Sequence, residues 1–218
     1  MSNQEMFDKI MSNLLGDSET FDKWDALQPA DSDYMLFSPT AVGYNSTAEQ
    51  IYLFQNLLIG FTPESSILDI GCGRADMRKF INELYDISPI YTGVDLNPLM
   101  SDAAKRKYDY DIIVGNFETT KFENHDWVVA SGVFTERRCE TEQEDMQRIL
   151  DNIDQMYQLA NSVVSFNLLS PINTKQYDGF FYVHPGLILD ILIEKYQYVL
   201  VRHNYSKDVF TVTINKTK

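Results

Sequence analysis

Short apolar runs alternate along most of the chain with apolar residues at helical spacing. Runs typical of buried strands occur at Ile67–Ile70, Ile90–Asp95, Asp111–Val114, Trp127–Ala130 and Ser162–Asn167. Apolar residues repeated at helical intervals predict helices at Glu49–Ile59, Arg74–Leu84, Pro98–Lys107, Glu140–Leu159 and Leu187–Lys195. This alternation predicts an α/β fold in which helices cover a largely parallel sheet.

The end of the chain departs from this alternation. Strands are predicted at Tyr198–Asn204 and Val209–Asn215, and only Tyr205–Asp208 separates them. So short a connection joins antiparallel neighbours, because parallel strands need a much longer crossover. We therefore predict a Rossmann-like, doubly wound mixed sheet that ends in an antiparallel carboxyl-terminal hairpin.

The composition is that of an ordinary globular protein with a strong negative charge. Of the 218 residues, 44% are apolar and 23% are charged, and the formal net charge is -14. Such a field repels phosphate backbones, so nucleic acid is an unfavourable partner. Cys72 and Cys139 lack the CxxC spacing of a zinc site, and no metal site is predicted. Without a signal-peptide pattern or a long apolar run, we expect a cytoplasmic protein that does not enter membranes.

A Gly-x-Gly turn joins the first predicted strand to the first helix of the alternation. Gly71, Cys72 and Gly73 form this turn, where a ligand can approach the backbone closely. A dinucleotide site would want Gly or Ala three residues after the second glycine, whereas Asp76 stands there. That carboxylate would oppose a pyrophosphate, so a nicotinamide oxidoreductase is disfavoured.

Three carboxylates surround the predicted turn. Asp69 ends the first strand, Asp76 opens the helix, and Asp95 ends the second strand at the place expected to take a ribose diol. Acids around a glycine turn suit a ligand that carries an ammonium and a sulfonium group, which describes S-adenosylmethionine. Tight-turn and helix-capping roles explain any one of these residues equally well, but all of them in register favour a cofactor site.

Four segments in order resemble the successive motifs of class I S-adenosylmethionine-dependent methyltransferases: ILDIGCGRAD (67–76), YTGVDLNP (91–98), DIIVGNF (111–117) and DWVVASGVF (126–134). The resemblance covers about residues 45–215 and implies a seven-stranded sheet with its last strand inserted antiparallel. Segments of the carboxyl-terminal third are similar to a bacterial and phage subgroup whose substrate is unassigned.

The resemblance also implies roles for individual residues. Asp69, Gly71 and Gly73 would flank the methionine moiety, and the predicted site includes Cys72 and Asp76 between and beside them. The remaining cofactor contacts would be Asp95 on the ribose, Leu96 and Phe117 on the adenine faces, Asn116 on the adenine edge, and Ser131 and Gly132 under the sulfonium.

The amino-terminal region is predicted to form an extension rather than a domain. Residues 1–44 are too few and too polar to build a core, whereas 45–218 would form the methyltransferase domain. Tyr34, Phe37 and Tyr44 would either close over the donor as a lid or hold the extension on the sheet edge as a strap. Both alternatives are open at this point.

The acceptor is less well defined than the donor. The DNA-methyltransferase motifs, Asp/Asn-Pro-Pro-aromatic and Pro-Cys, are absent, which argues against a DNA substrate. Topology predicts an acceptor site lined by Asn167, Tyr182 and His203, with His203 either a base or a structural histidine. For the neighbouring Arg137 and Arg138, a solvated helix entrance is favoured over an anion-binding site.

Two functions of different classes follow from these observations. The first is a methyltransferase that acts on a small-molecule, glycan-precursor or peptide acceptor. The alternative is a non-catalytic binding or structural protein, such as a phage assembly component, that keeps the fold; either would allow an oligomer or an assembly partner.

Overall fold

The computed structural model of the protein describes residues 38–172 and 175–216. The strands are β1 (Ile67–Ile70), β2 (Tyr91–Asp95), β3 (Ile113–Val114), β4 (His125–Ala130), β5 (Ala160–Leu169), β6 (Tyr198–Arg202) and β7 (Val209–Asn215). The α-helices are α1 (Thr47–Leu57), α2 (Asp76–Tyr85), α3 (Pro98–Tyr108), α4 (Glu142–Leu159) and α5 (Pro185–Ile193). A short 3₁₀ helix at Pro39–Val42 precedes α1. The predictions for Tyr34 and Phe37 lie outside the described residues.

The seven strands form one sheet in the order β3-β2-β1-β4-β5-β7-β6. Strands β1 to β5 pair in parallel, and β7 lies antiparallel between β5 and β6. The pairing of Leu169 with Val209 places the start of β7 beside the carboxyl end of β5. The predicted mixed sheet with an antiparallel hairpin is confirmed.

Side chains of alternating orientation divide the core into two layers, one on each face of the sheet. On β1, Leu68 faces the layer that includes α4 and α5, whereas Ile67 faces the layer that includes α1 and α2. Strand β4 alternates in the same way, with Val128 in the first layer and Trp127 in the second. Because strands buried on both faces have no polar side to show, they read in the sequence as continuous apolar runs.

Local capping explains where several helices start later or earlier than predicted. Helix α4 starts at Glu142 because Thr141 and Glu144 form a reciprocal capping box. Helix α2 starts at Asp76 because Ala75 has a left-handed conformation, with φ of 59°. Helix α5 starts at Pro185, a residue favoured in a first turn, after His184 accepts a hydrogen bond from the Gly186 amide.

One expectation about burial was wrong, and one strand begins earlier than predicted. The segment Asp111–Val114 was predicted as a buried strand, but Ile113 and Val114 are 40% and 49% exposed because β3 is a two-residue strand at the sheet edge. Residue His125 begins β4 and is buried, although the predicted strand starts only at Trp127. Its Nδ1 donates to the Glu123 carbonyl, 2.8 Å away, and its Nε2 forms a second hydrogen bond, 2.8 Å long, with the Thr92 hydroxyl.

No helix in the described ranges is long and apolar enough to cross a membrane.

Candidate active site

A cavity of about 910 Å³ lies at the carboxyl ends of the parallel strands. Its glycine-turn end is walled by the loops that follow β1, β2 and β3, together with residues 41–54. Its long-loop end is walled by the loops that follow β4 and β5, the first turns of α4 and the turn between β6 and β7. Open α/β sheets bind ligands at this edge.

The cavity walls include nearly all of the residues that the sequence analysis selected. The exception is His203. The selected residues that line the cavity are Asp69, Gly71, Cys72, Gly73, Asp76, Asp95, Leu96, Asn116, Phe117, Ser131, Gly132, Asn167 and Tyr182.

The backbone of the glycine turn needs glycine for both conformational and steric reasons. Gly71 and Gly73 have φ of 63° and 53°, in the left-handed region that side chains disfavour. A Cβ atom added to Gly71 would lie 2.6 Å from Cγ2 of Val133, closer than carbon atoms approach without a shift. The turn therefore keeps its backbone against the wall of the cavity.

The carboxylate of Asp95 joins the first two loops of the sheet. One oxygen accepts from the Gly73 amide at 2.9 Å, and the other accepts from the Asn97 amide at 2.9 Å. Each carboxylate oxygen has two lone pairs, so both oxygens can accept a further hydrogen bond from a ligand in the cavity. This is the arrangement that binding of a vicinal diol requires.

Asp69 is a buried acid at the carboxyl end of β1, with only 2% of its surface exposed. One of its oxygens accepts from the Tyr91 hydroxyl at 2.6 Å. Burial raises the pKa of Asp69 to about 7, and the negative charges of Asp95 and Asp76 add to that rise. A cation beside Asp69 would reverse much of this effect.

Asp76 also lines the cavity, but its charge is already paired inside the protein. Its carboxylate accepts from Arg74 at 2.8 and 3.1 Å and from Lys107 at 3.2 Å. Tyr108 and Gln50 donate to it at 2.7 and 3.1 Å. Burial alone would raise its pKa, yet Lys107 and Arg74 hold the pKa of Asp76 below the ordinary value. Asp76 therefore anchors the turn, and the sequence analysis missed Arg74 as its partner.

The loops after β2 and β3 form a less polar part of the cavity wall. The Asn116 side-chain oxygen accepts from the Glu118 amide at 2.9 Å, which orients the loop. Phe117 is buried and stacks with Phe122, with 6.0 Å between the ring centres. Leu96 is 54% exposed at the cavity mouth. Together these side chains provide an apolar slot with an amide at its edge.

A hydrogen-bonded group joins β4, β5 and the segment before α1 at the middle of the cavity. The Asn167 side chain accepts from the Gly132 amide at 2.8 Å and donates to the Ser131 hydroxyl at 3.2 Å. The Tyr44 hydroxyl donates to the same Ser131 oxygen at 2.7 Å. Because that oxygen accepts twice, the Ser131 hydrogen is left to donate elsewhere.

The predicted base at the long-loop end is not among the cavity walls. His203 follows the end of β6 and packs edge-on against Phe210, with 5.8 Å between the ring centres. Its Nε2 is buried without a hydrogen-bond partner among the described residues. Neighbouring residues on an extended chain face opposite sides, and Arg202 reaches the Asn56 carbonyl on the α1 side. The prediction that His203 lies in the cavity was therefore wrong.

The long-loop end contains Tyr182, which the sequence analysis selected, and several basic groups that it did not. The Tyr182 hydroxyl accepts from the Tyr177 amide at 3.1 Å, which ties the loop after β5 into the wall. The basic side chains that line this end are Arg138, Arg148, Lys175 and Lys207. The pair Arg137–Arg138 was the sequence signal for them, although it was interpreted as solvated.

Comparisons with known proteins agree with this architecture. Residues 67–171 match the family model of a methyltransferase domain. The "Putative methyltransferase Rv1506c" of Mycobacterium tuberculosis is 26% identical over 155 residues, which cover 69% of this chain and 93% of that protein.

Solved structures with the same fold include several methyltransferases. The pyocyanin biosynthetic protein PhzM has a TM-score of 0.58 at 12% identity, covering 98% of this chain and 70% of its own. The plantazolicin methyltransferase BpumL scores 0.57 at 11% identity, covering 99% of this chain and 98% of its own. Magnesium protoporphyrin IX methyltransferase from Synechocystis PCC 6803 was solved with bound S-adenosylmethionine. It has a TM-score of 0.54 at 13% identity, covering 100% of this chain and 99% of its own. Residues 67–171 thus match a methyltransferase domain, and the chain shares the fold of S-adenosylmethionine-dependent methyltransferases.

Proposed function

We propose that the chain binds S-adenosylmethionine at the glycine-turn end of its cavity and methylates a small-molecule or peptide acceptor at the long-loop end. The observation that carries this proposal is the single cavity in which Asp69, Asp95, Ser131 and Asn167 all line the walls. Two structural relatives are a pyocyanin biosynthetic protein and a plantazolicin methyltransferase, which accords with a small-molecule or peptide acceptor.

The residues at the glycine-turn end fit the proposed cofactor. Asp95 keeps lone pairs for the ribose hydroxyls, and the Phe117 slot with the Asn116 amide suits an adenine ring. Asp69 lies just before the turn and has no ion-pair partner among the described residues, so it suits the cationic methionine moiety. Asp76, which two cations already pair, would act by holding the turn in place.

The cofactor, when bound, supplies an electrophilic methyl group on a sulfonium. The chain's own residues then have to orient an acceptor in line with that group and exclude water. Asn167 holds the Gly132 amide and the Ser131 hydroxyl in position, and Ser131 can donate its remaining hydrogen bond into the cavity. No histidine is among the described lining residues, so alignment rather than a histidine base would provide the rate.

Replacement of Asp95 tests the donor site directly. Asp95→Ala should weaken S-adenosylmethionine binding at least about tenfold, because charge-assisted hydrogen bonds contribute about 1.5–3 kcal/mol each. Isothermal titration with S-adenosylmethionine, S-adenosylhomocysteine and NAD measures the effect. Asp102→Ala is the matched control, since Asp102 is an exposed acid on the adjoining helix α3.

Asp95→Ala also removes the acceptor for the Gly73 and Asn97 amides, so folding must be checked by thermal unfolding. Asp95→Asn, which keeps the size of the side chain, separates a folding defect from a lost ligand contact. Unchanged affinity in folded Asp95→Ala protein, or tighter binding of NAD than of S-adenosylmethionine, would contradict the proposed site.

The extension at residues 1–44 is proposed to act as a lid over the donor, ahead of the domain at 45–218. In support, Val42 and Tyr44 line the cavity, and the Tyr44 hydroxyl bonds Ser131 inside it. Limited proteolysis of the whole chain should show slower cleavage before residue 44 when S-adenosylhomocysteine is present. Equal cleavage rates with and without it would favour a strap on the sheet edge.

A further inference from the structure

Acidic and basic side chains are unequally distributed along the cavity. The acids that line its glycine-turn end are Glu49, Asp69, Asp76, Asp95 and Glu118, and no Lys or Arg among the described residues lines that end. Its long-loop end has the bases Arg138, Arg148, Lys175 and Lys207 beside the acids Glu136 and Asp208. A basic cluster is unexpected in a chain with a formal net charge of -14.

The acids at the long-loop end pair only weakly with these bases. Arg138 lies 3.6 Å from Glu136, and Lys207 lies 4.0 Å from Asp208, both at largely exposed sites. Lys175 contacts the ring of Tyr177, with its Nζ 4.8 Å from the ring centre. Ion pairs of this length and exposure contribute little, so the cationic groups stay available to a ligand.

Among these bases, Arg148 has the least complete hydrogen bonding of its guanidinium group. Its Nη2 is 3.7 Å from the buried carboxylate of Asp145, beyond hydrogen-bond distance, while 18% of the Arg148 side chain stays exposed. The Nε and Nη2 atoms are buried with no hydrogen-bond partner among the described residues. Arg137 competes for the same carboxylate at 3.6 Å, so one acid serves two guanidinium groups.

Arg74 shows what a satisfied buried arginine looks like in the same protein. Its guanidinium donates to Asp76 at 2.8 and 3.1 Å and to the Ser38 carbonyl at 2.8 Å. Arg148 lacks such a set although it lies close to Asp145, and a desolvated guanidinium without hydrogen bonds is unfavourable. An anion at the long-loop end would offset that cost.

We infer that the acceptor carries an anionic group, a carboxylate or a phosphate, which binds at the long-loop end between Arg138 and Arg148, with Lys175 and Lys207 at the rim. This inference rests on the proposed function, because the same cavity must hold the donor at its other end. The separation suits the chemistry, since acids attract the cationic donor and bases attract the anionic acceptor.

Titration of the whole chain, saturated with S-adenosylhomocysteine, tests the anion site. Pyrophosphate and citrate are the two probes, because they separate a phosphate from a carboxylate preference, and glycerol is the neutral probe. At least one anionic probe should bind, and Arg138→Gln combined with Arg148→Gln should weaken it at least about tenfold. The matched control combines Arg106→Gln with Lys121→Gln, two exposed bases outside the cavity.

A second variant covers the case in which the arginine variant does not fold. Lys175→Gln combined with Lys207→Gln changes only exposed side chains and should weaken the same probe several-fold. Anionic probes that bind no more tightly than glycerol, or equal losses in cavity and control variants, would overturn the inference. If S-adenosylhomocysteine does not bind the unmodified chain, the proposed function fails instead, and probe titrations without it still judge the anion site.

Discussion

The two ends of the cavity are built from the same kind of sheet edge but by different means. At the glycine-turn end, side chains a few residues from a strand end bond neighbouring loops, as Asp95 does with Gly73 and Asn97. At the long-loop end, the walls come from longer loops, and Arg138 and Arg148 have only distant partners. The first end is held in place by hydrogen bonds within the protein, whereas the second leaves basic groups with incomplete partners.

This difference accords with the two ligands that we propose. A donor common to a whole family can be held by a rigid site whose geometry depends on short turns and β-strand ends. An acceptor that differs between enzymes is better served by loops, which vary at little cost to the fold. We therefore expect that residues at the glycine-turn end mainly stabilise the fold, and that residues at the long-loop end mainly determine which acceptor binds.

Loss of the Asp76 carboxylate should produce the largest effect at the glycine-turn end. Asp76→Ala removes the shared partner of the buried Arg74 and the half-buried Lys107, and breaking such a pair costs about 3–5 kcal/mol. Urea unfolding should show that loss, whereas Asp111→Ala, at an exposed ion pair with Lys105, should cost at most about 1 kcal/mol. Similar small losses in both variants would contradict the role of Asp76 in holding the glycine turn in place.

The contrast also explains which parts of the molecule the sequence could predict. Glycine-turn residues such as Gly71 and Asp95 adjoin apolar strands, so periodicity alone located them at the sheet edge. The pairing of Asp76 with Lys107 joins positions far apart in the chain, and no local pattern reports it.

At the long-loop end, a prediction that a residue lines the cavity depended on which way its side chain points. Such predictions were less accurate than those at the glycine-turn end. His203 was assigned to the cavity although β6 ends at Arg202, and one residue of alternation decides which face a side chain takes. Asn167 does line the cavity, because it lies within β5 near its carboxyl end. The basic residues Arg148 and Lys207 come from a helix and a turn that have no motif in common.

The pH dependence of donor binding should be the next largest effect. The pKa of Asp69 is raised to about 7, so Asp69 is mostly protonated below that pH and charged above it. A cationic donor favours the carboxylate, so S-adenosylmethionine should bind more tightly as pH rises from about 6 to about 7.5, by up to about tenfold per pH unit. Titrations across that range measure the slope.

Asp69→Asn is the control for this linkage and should flatten the slope. S-adenosylhomocysteine, which lacks the sulfonium charge, should give a shallower slope with the unmodified chain. In the absence of ligand, Asp69 makes the folded protein less stable as pH rises. The folded protein keeps a proton on Asp69 up to a pH of about 7, whereas the unfolded chain loses that proton above about 3.8. The free energy of unfolding therefore falls as pH rises towards 7. A slope that persists in Asp69→Asn would assign the titration to another group.

The smallest effect is expected where the two ends meet, at the hydroxyl of Tyr44. Burial raises the pKa of Tyr44 far above its ordinary value, so the hydroxyl stays a donor to Ser131 at all ordinary pH values. Tyr44→Phe removes that one hydrogen bond and should lower the free energy of unfolding by about 0.5–1.5 kcal/mol. Tyr198→Phe, at a 45% exposed ring, should change it by less than about 0.5 kcal/mol.

In a double-mutant cycle of Tyr44→Phe with Ser131→Ala, the two losses should not add, because both changes remove the same hydrogen bond. Additive losses would mean that the Tyr44 hydroxyl stabilises the protein through a contact other than Ser131, and that it does not link the segment before α1 to the middle of the cavity.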